Sequence, residues 1–366
     1  MLAGMSHSAG MKRSFAGAVA AAVTAVLLST PATAHADGET FTSVPLPFFW
    51  PKAELQEVAA DDAGGVWVGG AQGAYCVMWG TTCGLFSNGN PVLRRWNGSS
   101  WAEYPLRGWT GEGQIRAVTS SGGETWIGGG TLGQSGSSNY LARFDGTAFQ
   151  KVERPTEANL DVISTGPAGT WVAHRAIGDG PQFKLHKRTG STWTGYDIAL
   201  RSISDLQALT ATDAWAVGSR YPDSGPGIAP AIAHFDGTAW TAVTPPPIAA
   251  GVASSFLKVA PVGPNDVWAL SREHLTHWNG TEWTVIPLPS AIPSARDLAV
   301  DGNGHPWVTA DYGAPVPYRY SGGTWHPATI PAGKAMRAIT PMPGTSTIWG
   351  VANREDRSNP AVLKNG

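Results

Sequence analysis

The sequence predicts an all-β chain closed into a ring of seven four-stranded antiparallel blades, and three observations predict it. An Asx-Gly step recurs with an aromatic three residues after its glycine: Asn97-Gly98 leads to Trp101, Asp145-Gly146 to Phe149, Asp236-Gly237 to Trp240 and Asn279-Gly280 to Trp283, with looser copies from Thr189-Gly190 to Trp193 and Ser321-Gly322 to Trp325. A Trp opening a short apolar run recurs seven times, at Trp67, Trp126, Trp171, Trp215, Trp268, Trp307 and Trp349. The third observation joins the ends of the chain. Lys364-Asn365-Gly366 begins a step with no chain after it, while Asp37-Gly38 leads to Phe41 and then to Val44-Pro45-Leu46-Pro47. Other copies end in the same way, as Tyr104-Pro105-Leu106 and Ile286-Pro287-Leu288-Pro289. A repeat begun at one end and finished at the other describes a ring.

The glycines of the steps, at 38, 98, 146, 190, 237, 280, 322 and 366, are separated by 60, 48, 44, 47, 43, 42 and 44 residues. That period is the length of one four-stranded blade, and the fold predicted is a seven-bladed β-propeller. Within each unit the elements follow from alternation and turn signals. Strand one is a run such as Ile115-Arg116-Ala117-Val118 or Met336-Arg337-Ala338-Ile339. A Gly, Asp or Asn turn leads to strand two, the Trp run. Strand three, as in Ala231-Ile232-Ala233-His234-Phe235, enters the Asx-Gly turn, whose residues tolerate positive φ. Strand four carries the second aromatic and often ends at Pro, which cannot donate to a ladder. Two large aromatics per unit are expected to fill the gaps between blades. Residues 37–47 should complete the last blade, residues 334–366, and remove its open edge. The sizeable insertion, residues 71–91, holds both cysteines.

Composition agrees. Charged residues are 14%, and the chain carries 17 Trp, 46 Gly and 28 Pro, which argues for short strands and tight turns over helices. The formal net charge of -2 gives no reason to expect nucleic acid as a partner. Residues 1–36 read as a secretory signal: Lys12 and Arg13, an uncharged run from Ala16 to Leu28, and Ala34-His35-Ala36 at the cleavage point, with Met11 as an alternative start. Export of residues 37–366 as a monomeric extracellular domain, with no membrane anchor after processing, is the expectation. In an oxidising compartment Cys76 and Cys83, seven apart in one loop, are expected to form a local disulfide.

Segments such as Val66-Trp67-Val68-Gly69-Gly70 followed by Leu93-Arg94-Arg95-Trp96-Asn97-Gly98 resemble the propeller repeats of extracellular sensor domains in two-component regulators. They are also similar to secreted bacterial kelch-like and sialidase-like propellers. The resemblance covers the whole of residues 37–366 at the level of the repeat and implies the fold. The steps depart from the sialidase box, Ser-x-Asp-x-Gly-x-Thr-Trp, so no sialidase activity carries over. A kelch-type copper-radical enzyme would need a Tyr-Cys pair, and the two cysteines sit elsewhere, in the first unit's loop.

In such a ring the loops before strand one and between strands two and three share the face of the channel mouth, where the family binds ligands. One set of residues there counts to the second position of each inner strand: Gln56, Arg116, Asp161, Gln207, Lys258, Arg296 and Arg337. A second set follows the Trp runs: Arg175, Arg220, Arg272 and Arg354, with Asp311 in the sixth unit. Read functionally, they form a basic funnel for a carboxylate- or phosphate-bearing ligand, since Arg offers such groups bidentate geometry. Read structurally, they pair with neighbouring blades or with Glu273, Glu355 and Asp356. Tyr75, Trp79, Trp109, Tyr221 and Tyr312 are loop aromatics able to stack on a sugar or planar ligand, or to pin the loops.

Catalytic constellations are poor. No paired carboxylates, nucleophile elbow or phosphate loop stands out. Propellers of similar outline include lyases with a His base and a divalent metal, for which His174 and His274 are the candidates here. The primary expectation is a non-catalytic module that recognises a small anionic or carbohydrate ligand, or an extracellular protein, without cofactor or metal. A secreted lyase or hydrolase and a purely structural protein are the alternatives.

Overall fold

The computed structural model describes residues 39–366 except 88, 131–139, 168, 176–182, 222–226, 247, 249–254, 312 and 354–358. The chain divides into two units, Met1–Asp37 and Gly38–Gly366, and the second is described below. The signal segment expected at residues 1–36 lies outside the described residues, as do Tyr312 and Arg354.

Seven four-stranded antiparallel sheets make a β-propeller, and no helix occurs among the described residues. The inner strands of blades 1 to 7 are Glu54–Ala60, Gln114–Ser121, Leu160–Gly166, Ser202–Thr210, Phe256–Gly263, Ala295–Val300 and Ala335–Pro341. The second strand of every blade carries the repeated Trp, and all seven of these side chains are buried. Each packs with the strand-four aromatic of the following blade. Trp67 clusters with Phe149, Trp126 with Trp193, Trp171 with Trp240, Trp215 with Trp283, Trp268 with Trp325, Trp307 with Phe41 and Trp349 with Trp101. The contacts are edge-on where measured, as in Trp67–Phe149 at 5.3 Å and 84° and Trp171–Trp240 at 5.4 Å and 80°, the geometry the ring quadrupole favours. The two aromatics of the repeat therefore seal the space between blades.

The Asx-Gly steps are hairpin turns. Asp145 Oδ1 accepts the N–H groups of Thr147 and Ala148, both at 2.8 Å, and Asp236 Oδ1 accepts those of Thr238 and Ala239 at 2.8 and 2.9 Å. Gly146 and Gly237 follow at φ 98° and 99°, in the left-handed region that a Cβ disfavours. Donors from Gln150, Ala148 and Thr147 hold the Asp145 carboxyl well below the ordinary range, so this aspartate is a turn acceptor. Asn97 and Asn279, which head glycosylation-like triplets, use their side-chain oxygens in the same way.

Blade 7 is completed from the other end of the chain. Phe41–Val44 pairs antiparallel with Ala361–Asn365, Phe41 opposite Asn365 and Val44 opposite Val362. Glu39 receives Asn365 Nδ2 and pairs with Arg319 of blade 6, and Phe41 N–H donates to the Thr329 carbonyl at 2.8 Å. Between blades 7 and 1, buried Asn353 accepts from Leu55 N–H at 3.3 Å and donates to the Leu55 carbonyl at 2.8 Å. Hydrogen bonds thus take the place of a covalent join.

The insertion of blade 1 is a two-stranded hairpin, Tyr75–Trp79 with Thr82–Ser87. Its base is tied to blade 2 through Gly113 N–H to the Gly89 carbonyl and Ser87 Oγ to Glu112 Oε1, both 2.8 Å.

Candidate functional site in the central channel

Every inner strand carries an irregularity at the same level. In blade 1, Leu55 and Glu57 face consecutive residues Gly70 and Gly69, leaving Gln56 as the extra residue. The same shift singles out Arg116, Asp161, Ser204, Leu257 and Arg337, and in blade 6 the pair Arg296-Asp297. Such a bulge turns two successive side chains toward the axis side of the strand, where regular alternation would send one away. The inner strands therefore carry two levels, of which Arg116, Asp161 and Ser204 of the first and all seven residues of the second line the axial cavity. The bulge level holds Gln56, Arg116, Asp161, Ser204, Leu257, Arg296 and Arg337. The next holds Glu57, Ala117, Val162, Asp205, Lys258, Asp297 and Ala338.

Counting from strand starts had put Gln207 and Lys258 in one ring with the bulge residues. The bulge register moves Lys258 to the second level and makes Ser204 the equivalent of Arg116 in blade 4. Strand spacing does not single out Glu57, Asp205 and Asp297, which share the second level with Lys258. The signal that finds them is an apolar pair at i and i+3 in each inner strand: Leu55/Val58, Ile115/Val118, Leu160/Ile163, Ile203/Leu206, Phe256/Val259, Ala295/Leu298 and Met336/Ile339. A regular strand spaces such residues by two, so a spacing of three marks one extra residue.

A cavity of about 510 Å³ runs along the axis, with walls from all seven inner strands, including Glu57, Arg116, Asp161, Asp205, Lys258 and Asp297. Two of its acids hold the ring together. Asp205 Oδ2 accepts the Val259 N–H of the next blade at 3.0 Å, and Asp297 Oδ2 accepts the Ile339 N–H of the next at 2.8 Å. Lys258 Nζ lies 3.4 Å from Asp297 Oδ1. Asp297, opposed by burial and joined by Asp205 and Glu57, raises the Lys258 ammonium above the ordinary lysine value. Its side chain keeps 37% exposure to the channel, so water softens the pair. Burial raises the Asp205 carboxyl as well, against the pull of Lys258. Glu57 differs from both aspartates: among the described residues its carboxylate makes no hydrogen bond or ion pair. Burial in the channel wall pushes it up to about 7.

At the bulge level Arg116 takes the side-chain carbonyl of Gln114, at 3.1 Å from Nε and 3.0 Å from Nη2, in the amide orientation that satisfies both groups. Arg296 pairs with Asp311 at 2.6 Å across the mouth of its own blade. The remaining candidates are placed apart from the cavity. Arg272 reaches Ser294 Oγ at 3.0 Å, and Arg220 reaches the Tyr221 carbonyl at 3.3 Å, both bracing loops. Arg337 sits on its bulge outside the cavity lining, and the Arg175 side chain lies outside the described residues. His174 is buried on the second strand of blade 3, its ring stacked on His186 with centroids 5.1 Å apart. His274 opens the third strand of blade 5, where its N–H donates to Ser271 Oγ at 3.0 Å. Neither histidine lines the cavity. No cluster of three or more His, Cys, Asp or Glu suited to a metal ion occurs among the described residues.

The loop aromatics divide. Trp109 packs on Tyr140 with centroids 4.9 Å apart and bonds the Gly111 carbonyl, pinning its loop. Tyr221 lies under Arg201, 4.9 Å from its ring centre. Tyr75 and Trp79 stand on the inserted hairpin, exposed, with Cys76 on the same strand and Cys83 on its partner.

No protein-family model matches this chain, and no curated protein matches it in sequence. Among solved structures it is similar to virginiamycin B lyase from Staphylococcus aureus, with TM-score 0.61 and 13% identity over 89% of this chain and 98% of that one. It is similar to the extracellular domain of the putative hybrid two-component system BT4673 from B. thetaiotaomicron, with TM-score 0.57 and 13% identity over 88% of this chain and 39% of that one. It is also similar to YCF48 bound to D1 peptide, with TM-score 0.56 and 13% identity over 92% and 99%. At such identities the likeness is one of fold.

Proposed function

We propose that this propeller is an extracellular binding module that takes a small anionic ligand into the mouth of its central channel. The observation that carries the reading is the axial cavity, walled by all seven inner strands, with one cation, Arg116, beside one acid, Asp161, at its bulge level and a net acidic second level below. A cavity of this size lies within the range of small-molecule sites. Its charge order sets the pose. A carboxylate or phosphate meets the Arg116 guanidinium at the mouth. Glu57, Asp205 and Asp297 outnumber Lys258 deeper in, so the inner end of the ligand presents hydroxyl or amine donors rather than a second negative charge. The extracellular part of the reading is supported by the signal-like segment at residues 1–36 and by the likeness to the extracellular domain of a putative hybrid two-component system.

The test is a thermal-shift screen of residues 37–366 against hydroxylated and amino-bearing carboxylates and phosphates, since a ligand specific for the folded state raises Tm by mass action. The expected hit loses its shift in Arg116→Ala and weakens at least about tenfold, the scale of one charge-assisted contact. A library in which no shift depends on Arg116 sinks the reading.

A further inference from the structure

A second surface beside the channel mouth has the chemistry of a different ligand. Phe48 and Trp50 on the connection into blade 1, and Tyr75, Val77, Met78 and Trp79 on the inserted hairpin, are all exposed, Trp79 by 72% and Trp50 by 62%. So many large apolar side chains on one segment pair exceed the scattered exposure that needs no explanation. Two hydrogen bonds hold the segments together: Trp50 N–H to Gln72 Oε1 and Gly73 N–H to the Pro51 carbonyl, both 3.1 Å. Between them lies a cleft of about 370 Å³ lined by Trp50, Pro51, Lys52, Tyr75 and Asn90 among others.

The hairpin presents its aromatics as faces. Tyr75, Val77 and Trp79 alternate onto one side of their strand. The partner strand has its extra residue at Gly84, between Leu85 and Cys83, which pair with Val77 and Met78. Trp79 lies over this glycine. A Cβ there would meet three ring atoms, Cδ2, Cε3 and Cγ, at 2.5, 2.6 and 3.0 Å. The backbone of Gly84 thus covers one face of the indole and leaves the other to solvent. A track of ring faces runs from the cleft at Trp50 and Tyr75 to the hairpin tip at Trp79.

We propose that this track binds a flat, neutral, β-1,4-linked glycan chain, with sugar rings on Trp79 and Trp50 and hydroxyls read by Asn90, Lys52 and the Tyr75 phenol. The occupant follows from charge and shape. Among the described residues Lys52 is the one charged side chain lining the cleft, and they offer no basic cluster for phosphate, nucleic acid or anionic lipid. Aromatic faces flanked by amide, phenol and ammonium donors match a ligand with apolar C–H faces and hydroxyl edges. A pyranose with equatorial hydroxyls has that form, and β-1,4 linkage repeats it along a flat ribbon. Trp50 meets only the exposed Phe48, edge-on at 5.8 Å, and Trp79 covers Gly84, so neither indole is buried in the core.

The experiment is retention of the full chain on microcrystalline cellulose and on chitin, with phosphatidylcholine vesicles and gel filtration in parallel. The wild type is expected on at least one of the two glycans. Trp79→Ala and Trp50→Ala should each weaken retention at least about tenfold, the loss of one aromatic stacking contact. Thermal midpoints unchanged in both variants would keep unfolding out of the comparison. Three results overturn the proposal: no wild-type retention on either glycan, retention that both variants keep, or a tryptophan-dependent contact seen only with vesicles or as a dimer.

Discussion

Glu57 is a side chain whose charge ordinary changes of pH decide. Its carboxyl is pushed from 4.5 up to about 7 by burial, so over that window the unfolded chain gives up a proton that the folded chain keeps. The stability linked to Glu57 is fully present below about 4.5 and is lost as pH rises through about 7. Glu57→Gln removes the titration, and its unfolding free energy should fall less than that of the wild type across this window. Urea denaturation at both ends of the window checks this, and an equal fall in the two proteins would assign the pH dependence elsewhere. At this scale the sequence was legible for Arg116, Asp161 and Lys258, which do face one cavity. It was silent on Glu57, Asp205 and Asp297, because period-two counting misses a bulge. Arg296 shows a further limit: its partner Asp311 lies fifteen residues on, across a turn, and strand spacing alone does not register the two.

At the scale of the element, the bulged inner strand is the device that builds the channel. It also constrains the strand beside it. At Gly218, opposite Ile203 just before the bulge of blade 4, an added Cβ would collide with the Ser202 carbonyl oxygen. Gly70 and Gly129 hold the equivalent positions of blades 1 and 2 and meet the same carbonyl contact, whereas blades 5 and 7 carry Ser271 and Ala352 there, so the need for glycine arises where the first two strands approach most closely. Gly218→Ala should cost about 1–3 kcal/mol, the usual range for overpacking, measured as a lower urea midpoint with an unchanged slope. An unaltered midpoint would mean that the inner strand of blade 4 shifts freely. The strands and turns themselves were readable from the Trp runs and the Asx-Gly steps, because a two-residue loop and an alternating face are set by adjacent residues. The inserted hairpin was visible only as an insertion, since its first strand, Tyr75–Trp79, is exposed along its length and buries no face that would impose a pattern.

For the whole molecule the decisive feature is closure. Phe41–Val44 covers the edge of Ala361–Asn365, and Phe41 fills the space over Trp307 with ring centroids 5.7 Å apart. Removing residues 39–44 should lower Tm and produce concentration-dependent oligomers on gel filtration, because the uncovered strand offers unpaired backbone groups. A monomer with the wild-type Tm would show that the ring holds without its clasp. The sequence by itself determined the number of blades, the turn chemistry, the pairing of Trp runs with strand-four aromatics and the use of the two chain ends in one blade. Those features depend on a short period repeated around the ring, where each unit packs only on its neighbours. The tertiary structure alone decided which charges meet in the channel, which arginines brace loops and how Trp79 lies on Gly84. These depend on distances between blades and on one extra residue per inner strand, quantities set by how the repeats pack and not by the repeat itself.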